Sequence, residues 1–136
     1  MSLLLRLSCA KGMVATRSPD QVAAITDDTV RRRARHVVNE NERVRRFADA
    51  LRRADYPELG RLMIDGHASL RDDFAISTAQ MDAAVDALNA TDGVFGVRMT
   101  GGGFGGCLVA ITRPGTLRDG WVVRASAGAR VLSTTE

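Results

Sequence analysis

Six residues between two short apolar runs carry the strongest chemical signal in this sequence. They read Gly101-Gly102-Gly103-Phe104-Gly105-Gly106 and lie between Val94–Thr100 and Cys107–Thr112, which are rich in Val, Ile and Leu and predict strands. Glycine adopts positive φ and lets the backbone approach a ligand closely. Consecutive N–H groups can bind an anion, and phosphoryl transfer depends on such positioned donors. The pattern predicts either a phosphate-contacting loop or a plain glycine-rich hairpin.

The loop differs from two common nucleotide-binding loops. No Gly-Lys-Ser/Thr follows it, so it is not a P-loop. A strand is expected after it, so it also lacks the strand-to-helix context of a dinucleotide site. Within the loop, Phe104 is expected either to cover a ligand or to anchor the hairpin in the core.

The other chemically capable side chains favour structural roles. We expect His36 to be partly buried or on the surface, and His67 to make a structural hydrogen bond at a helix end. Cys107 is expected to be a small buried residue, since no His or Asp lies near it in sequence. Asp72 and Asp73 are adjacent and point different ways on a helix, so they do not form a carboxylate pair.

Four helical patterns and a last strand surround the loop. Ser18-Pro19-Asp20 predicts the start of a short helix, and Asp27 or Asp28 the cap of a longer one. The longer helix has an apolar stripe of Val30, Ala34, Val37, Val38, Val44, Phe47, Ala48 and Leu51. Pro57 opens a third helix, in which Gly66 would permit a close helix crossing, and Ser77–Gln80 resembles a capping box. Trp121–Val123 is predicted to be a last strand.

Composition excludes several classes of protein. The 136 residues are 45% hydrophobic and 26% charged, which fits one globular domain and excludes a wholly disordered chain. No apolar run approaches the roughly 20 residues of a membrane span. Met1–Leu7 is too short for a secretory signal and has no basic region ahead of it, so a cytoplasmic location is expected. Two cysteines and two histidines argue against a disulfide framework and a structural zinc site.

Positive charge is concentrated in one segment. Residues 31–53 contain nine Arg against Glu40, Glu42 and Asp49, a net charge of +6, whereas the whole chain carries +3. Because acidic residues interleave and aromatic residues are scarce, we expect a solvated helix face with ion pairs. No nucleic-acid or membrane partner is predicted.

Arg98–Cys107 closely resembles the third, C-terminal signature of the GHMP kinases, in its galactokinase form. Arg31–Arg43, His67–Phe74 and Ser126–Ala129 are similar to other galactokinase segments, and the likeness runs in order over about residues 20–130. The resemblance implies a truncated ferredoxin-like α+β domain, with a helix pair and one more helix on a small, mostly antiparallel sheet. We expect a partly ordered N-terminal extension over 1–26, the GHMP kinase C-terminal domain over 27–125 and, because its residues are small and polar, a flexible tail over 126–136.

The resemblance also implies an activity. Galactokinases transfer the γ-phosphate of ATP to the anomeric hydroxyl of galactose with Mg²⁺, in a cleft between an N-terminal and a C-terminal domain. Thr100 and Gly101–Gly106 would be the loop near nucleotide and sugar, and Arg71 and Asp72 are candidate sugar-proximal residues. No catalytic residue or metal ligand is assigned to these 136 residues.

Several family features do not occur in this sequence. The galactose signature of the form Gly-Arg-x-Asn-x-x-Gly-Glu-His-x-Asp-Tyr and the Gly-Leu-Ser-Ser-Ser-Ala phosphate loop are absent, as are the catalytic Asp and its Arg partner. We therefore expect no sugar phosphorylation by this chain alone. The family's crossover helix is replaced by Thr112–Gly120, so we expect the last strand to be displaced, to pair differently or to be disordered.

Two kinds of partner follow from these departures. One is the missing N-terminal galactokinase portion, which would complete the cleft. The other is a second copy of the chain, because an uncovered sheet face favours self-association. The alternative to a kinase half-site is thus a non-catalytic dimerising or complementing interaction module. Leu3–Cys9 is a candidate replacement for the family's first sheet strand.

Overall fold

The computed structural model describes residues 18–124 of the chain, which form an α+β fold as predicted. In chain order the elements are α1 (Pro19–Ala23), α2 (Asp28–Arg52), α3 (Tyr56–Ser69), a π-helical turn (Leu70–Phe74), α4 (Ala79–Asn89), β1 (Val94–Thr100) and β2 (Cys107–Thr112). The predictions for Leu3–Cys9 and for the tail from residue 126 lie outside the described residues.

Side-chain caps determine where the helices begin. Ser18, Asp27, Asp55 and Thr78 each accept a hydrogen bond from the backbone N–H three residues further on. A cap of this kind stabilises a helix by about 1 kcal/mol. Of the two predicted candidates, Asp27 and Asp28, it is Asp27 that caps α2. Thr78 rather than Ser77 caps α4, so that helix begins one residue later than a capping box at Ser77 implies.

The sheet is an antiparallel hairpin whose two strands have the predicted bounds. Val94 pairs with Thr112 and Thr100 with Cys107, with a register shift between Val94 and Gly96. Helices α3 and α4 pack on β1, while α2 packs mainly on α3 and the π-helical turn. The core between these elements consists chiefly of Leu59, Leu62, Met63, Met81, Val85, Val97 and Met99.

Two glycines bring the backbones of α3 and β1 into direct contact. A Cβ atom on Gly60 would lie 1.9 Å from the carbonyl oxygen of Phe95, and one on Gly96 would lie 2.3 Å from that of Gly60. Neither position tolerates a side chain without backbone movement. At Gly66 a Cβ would lie 2.7 Å from Nη1 of Arg98 on β1 and 3.4 Å from Cδ of Arg43 on α2, so side chains of both elements approach this position. The predicted close helix crossing at Gly66 stays a prediction.

The buried face of α2 is narrower than its apolar stripe predicts. Ala34, His36 and Ala50 are buried, but Val30 and Leu51 expose 53% and 60% of their surface. The reason is that α2 covers α3 and the π-helical turn rather than a broad core. The arginines of α2 pair with carboxylates of α2 itself, of α3 and of the π-helical turn, which confirms the predicted ion-paired face.

Trp121–Val123 does not form a strand, and the expectation that this segment is displaced from its place in the sheet is confirmed. These three side chains are 90%, 89% and 80% exposed, and within residues 18–124 the sheet has two strands. After β2 the chain turns back, because Arg113 N–H donates to the Gly93 carbonyl and Thr116 N–H to that of Arg113. Residues 118–124, beyond this turn, are exposed. Among the described residues, no helix has the length and apolar character to cross a membrane.

Candidate functional site

The loop that joins β1 to β2 has a backbone that few other sequences can adopt. Gly101, Gly103, Gly105 and Gly106 have φ of 99°, 88°, 129° and 117°, values that side-chain-bearing residues rarely adopt. Around Gly101, Gly102 and Gly105 a Cβ atom would meet nothing within 4 Å. Within residues 18–124, the N–H groups of these three glycines donate no hydrogen bond to another helix or strand. One side of the loop is open to a ligand.

The middle of the loop is fixed to the segment that precedes α4. Phe104 N–H donates to the carbonyl oxygen of Ile76 at 2.8 Å, and a Cβ on Gly103 would lie 2.6 Å from Ile76 Cβ. Phe104 itself has a positive φ of 59° and its side chain is 76% exposed. The core-anchor interpretation of Phe104 is therefore wrong. A role as a cover over a ligand stays a prediction.

Ile76 also connects the loop to the other candidate site residues. Its N–H donates to the carbonyl oxygen of Leu70 at 3.1 Å, and Ala75, with a φ of 55°, ends the π-helical turn. Arg71 and Asp72 lie in that turn. The structure thus joins the glycine loop and the Arg71–Asp72 segment through one residue, although about thirty positions separate them in sequence.

Arg71 and Asp72 form an ion pair with each other. Arg71 Nε lies 2.7 Å from Asp72 Oδ1, and its Nη2 lies 2.9 Å from Oδ2. The hydrogen bonds from Arg71 lower the pKa of the Asp72 carboxyl, and the same pairing raises the pKa of Arg71. Asp72 therefore stays ionised at neutral pH. Asp73 points elsewhere, to Arg35 Nη1 at 3.0 Å, so the two adjacent carboxylates do not act together, as predicted.

Arginines of α2 hold the π-helical turn from outside. Arg32 Nη1 donates to the carbonyl oxygen of Asp72 at 3.3 Å, and Arg33 Nη1 donates to that of Asp73. Carbonyl groups at the end of a helix lack partners within it, so these donors satisfy them. Sequence reasoning missed this role, because an arginine-rich helix does not reveal which carbonyl groups it will meet.

The two histidines are structural and buried, so the expectation that His36 is partly buried or on the surface is wrong. His67 Nε2 lies 3.0 Å from Asp82 Oδ1, and Met99 N–H donates to His67 Nδ1 at 3.3 Å. The predicted structural hydrogen bond is confirmed. His36 Nδ1 lies 2.9 Å from Ser69 Oγ, and its ring stacks on Phe74 at 4.6 Å. Burial lowers the pKa of His36.

A groove of about 480 Å³ opens beside the start of the loop, between α2, α3 and the hairpin. Glu40 lies in it, 2.6 Å from Arg98 Nη1, and also pairs with Arg43. Burial alone would raise the pKa of Glu40, but Arg98 and Arg43 outweigh it and lower that pKa. Cys107, at the other end of the loop, is exposed, so its predicted burial is wrong.

Metal ligands do not cluster in this part of the chain. Among residues 18–124, no group of three or more His, Cys, Asp or Glu side chains is arranged to hold a metal ion. The polar groups that stand out at the loop are instead the backbone N–H groups of Gly101, Gly102 and Gly105, which donate no backbone hydrogen bond within the described residues. Donors of this kind suit an anion such as phosphate.

Comparison with known proteins shows which family this chain resembles. A family model described as the C-terminal part of the GHMP kinases matches residues 47–120, which include α3, α4 and the whole hairpin. Human galactokinase is 56% identical over 80 residues, or 59% of this chain, and bovine galactokinase is 48% identical over 101 residues, or 74% of it. The chain spans only 20% and 23% of the lengths of these two relatives.

A solved structure supports the same family. The crystal structure of Lactococcus lactis galactokinase complexed with galactose superimposes with a TM-score of 0.69 at 35% sequence identity. The match covers 73% of this chain and 26% of that one. Sequence and fold therefore agree over most of the described residues.

Proposed function

Because the chain belongs to the GHMP kinase family, we propose that it supplies the C-terminal side of an ATP-dependent galactose-phosphorylating site. In the proposed reaction, the anomeric oxygen of galactose attacks the γ-phosphorus of ATP, the bond to the β-phosphate oxygen breaks and ADP leaves. The base and the remaining cleft walls would come from a galactokinase N-terminal portion. Mg²⁺ would arrive bound to the nucleotide.

One observation carries this proposal: the glycine loop is open on one side and fixed on the other. Gly101, Gly102 and Gly105 face empty space, while Phe104 is hydrogen-bonded to Ile76. A loop held in shape before the ligand arrives loses little conformational freedom on binding. Its N–H groups can then stabilise the charge on the transferring phosphoryl group.

Arg71 and Asp72 belong to the sugar side of the proposed site. The turn that carries them is joined to the loop through Ile76, and their paired side chains are 42% and 60% exposed. An ionised Asp72 is suited to accept hydrogen bonds from sugar hydroxyl groups, and Arg71 is suited to donate them. Because its pKa is lowered, Asp72 is a weak general base, and we assign it no proton transfer.

The proposal is tested with Gly102→Ala in a complementation assay. The variant leaves the fold unchanged, because a Cβ at Gly102 meets nothing within 4 Å and the residue lies outside the left-handed region. Chain and variant are each mixed with a separately expressed galactokinase N-terminal portion, and galactose-dependent ADP release is measured. We expect the variant to lose at least about tenfold in kcat/KM for ATP, since its methyl group would meet the phosphates. Equal activity of the two mixtures would contradict the proposal.

Self-association is the second candidate function, and one observation favours it. Trp121, Val122 and Val123 form a nearly fully exposed apolar segment next to a two-stranded sheet. Exposed apolar patches of this kind mark association surfaces. Light scattering over a hundredfold concentration range tests it, with the triple substitution of these residues by Ser as control. A concentration-dependent mass that the substitution abolishes would support association, and a constant monomer mass would exclude it.

A further inference from the structure

Three polar side chains form a continuous chain of hydrogen bonds beneath the glycine loop. Met99 N–H donates to His67 Nδ1 at 3.3 Å, and His67 Nε2 lies 3.0 Å from Asp82 Oδ1. Ser77 Oγ donates to the same oxygen of Asp82 at 2.6 Å. His67 is 3% exposed and its bond with Met99 is buried, whereas the two bonds to Asp82 are partly buried. The direction of each bond follows: Nδ1 accepts, and therefore Nε2 carries the ring proton and donates to Asp82.

The two ends of this chain lie at the two points that determine the loop's shape. Met99 precedes Thr100, the last residue of β1, so the His67 bond fixes the position from which the loop departs. Ser77 follows Ile76, whose carbonyl oxygen accepts from Phe104 in the middle of the loop. The base of the loop and its anchor are therefore tied together by side chains from α3 and α4 that do not belong to the loop.

We propose that His67, Asp82 and Ser77 are positioning residues that hold the end of β1 and the Ile76 anchor at the distance the glycine loop requires. That the glycine loop is held in this shape in order to bind phosphate rests on the function proposed above. The shape of the loop can nevertheless be measured without a nucleotide. Asp82 is the central member, because one oxygen atom accepts both bonds. None of the three need touch substrate for this role.

Asp82 also offers a matched pair of variants. Asp82→Asn keeps a carbonyl oxygen that can accept from both His67 and Ser77, whereas Asp82→Ala removes the acceptor. Both variants lose the negative charge that Asp82 places in the first turn of α4. A difference between the two variants therefore reports the hydrogen-bond acceptor and not the charge. Ser77→Ala removes only the bond next to the Ile76 anchor and leaves the bond to Met99. These variants avoid substituting His67, whose burial makes loss of folding a risk.

The readout is amide hydrogen exchange of the full chain followed by NMR, with Arg98 in β1 as the internal reference. The Met99 N–H faces His67, so the N–H of Arg98, one position earlier, faces Val109 on β2. We expect Asp82→Ala to speed exchange at the Phe104 amide at least about tenfold relative to Arg98, and Asp82→Asn to change it less than about twofold. Ser77→Ala should speed Phe104 alone, while Asp82→Ala should also affect Met99. An unchanged Phe104 amide in Asp82→Ala, or equal acceleration at Phe104 and Arg98, would overturn the proposal.

A kinetic readout then separates this inference from the function on which it rests. In the complementation assay, Asp82→Ala should raise the KM for ATP several-fold while Asp82→Asn stays near the parent. If exchange responds as expected but every mixture is inactive, the positioning role stands and the proposed function fails. If the mixtures are active and the two Asp82 variants behave alike in both assays, the positioning role fails and the function stands.

Discussion

The carbonyl oxygen of Ile76 accepts a hydrogen bond from the backbone N–H of Phe104 at 2.8 Å, and this bond holds the glycine loop against the start of α4. Phe104 has a positive φ there, a conformation that costs a non-glycine residue about 1 kcal/mol or more. Such a conformation persists only where neighbouring contacts impose it. The loop is thus a fixed structure with one open side. Substitutions of the loop residues next to Phe104 test this arrangement most directly.

Gly103→Ala should destabilise the chain by about 1–3 kcal/mol. Gly103 has a φ of 88°, and a Cβ atom there would lie 2.6 Å from Ile76 Cβ and 2.7 Å from its carbonyl oxygen. Gly102→Ala is the neighbouring control, which should shift the free energy of unfolding by less than about 0.5 kcal/mol. Urea denaturation of the three proteins makes the comparison. Equal stabilities of the two variants would mean that Gly103 does not pack against Ile76.

Gly60→Ala and Gly66→Ala should have different effects, although both lie within α3. Helix propensity alone favours both changes by about 0.5–1 kcal/mol. At Gly60 the new Cβ would lie 1.9 Å from a backbone oxygen of Phe95, which cannot move without displacing β1. At Gly66 the nearest atom is Nη1 of Arg98, the end of a side chain that can shift without moving the backbone but is paired with Glu40. We expect a loss of at least about 2 kcal/mol for the first and less than about 1 kcal/mol for the second.

Thermal and urea unfolding both measure this difference. The contrast disappears if α3 and β1 lie further apart than the structure has them, in which case Gly60→Ala would be neutral or stabilising.

The chain should lose stability as the pH falls below 6.5, because of His36. Burial lowers the pKa of this ring in the folded protein. The positive charges of Arg43 and Arg98 lower this pKa further, and the negative charges of Glu40 and Asp73 partly raise it again. Between the folded value and 6.5 the unfolded chain therefore binds more protons than the folded chain, so stability rises with pH in that window and is lost on acidification.

His36→Asn isolates this effect, because its amide can still donate to Ser69 but does not titrate. Urea midpoints measured between pH 7.5 and 5 should fall less steeply for the variant than for the parent. Parallel slopes for the two proteins would show that His36 is not the group responsible.

Glu40→Ala should cost more stability than Glu42→Ala, although both residues lie on α2. Glu40 pairs with Arg98 across to β1, and the two side chains are 22% and 25% exposed. Glu42 pairs with Arg45 on the same helix, with both side chains mostly exposed. We expect about 1–2 kcal/mol for the first change and about 0–0.5 kcal/mol for the second. Denaturant unfolding at neutral pH tests this, and a reversed order would contradict the assigned pairing.

The sequence predicted local structure well and long-range contacts less well. Val94–Thr100 and Cys107–Thr112 are β-branched runs around glycines, so their bounds follow from local preference. The contact of Gly60 with Gly96 could not be predicted, because a glycine within a helix pattern indicates only a propensity cost. Trp121–Val123 has the composition of a strand, but whether a strand forms depends on a partner that local sequence does not reveal.

At the candidate site, too, local features were predictable and long-range contacts were not. The glycine loop was predicted from residue type alone, since positive φ and an open backbone follow from glycine. Its anchor at Ile76 and the His67–Asp82 bond were missed, because both join residues that are distant in sequence. Cys107 was predicted to be buried from its type, whereas its exposure depends on what covers β2.

Galactose-dependent ADP release at saturating MgATP tests the central claim most directly. The 136-residue chain is measured alone and then mixed with a separately expressed N-terminal portion of a close galactokinase relative, which is also measured alone. We expect activity in the mixture that exceeds the sum of the two separate components. Galactose-dependent turnover by the chain alone, or no activity beyond that sum in the mixture, would contradict it.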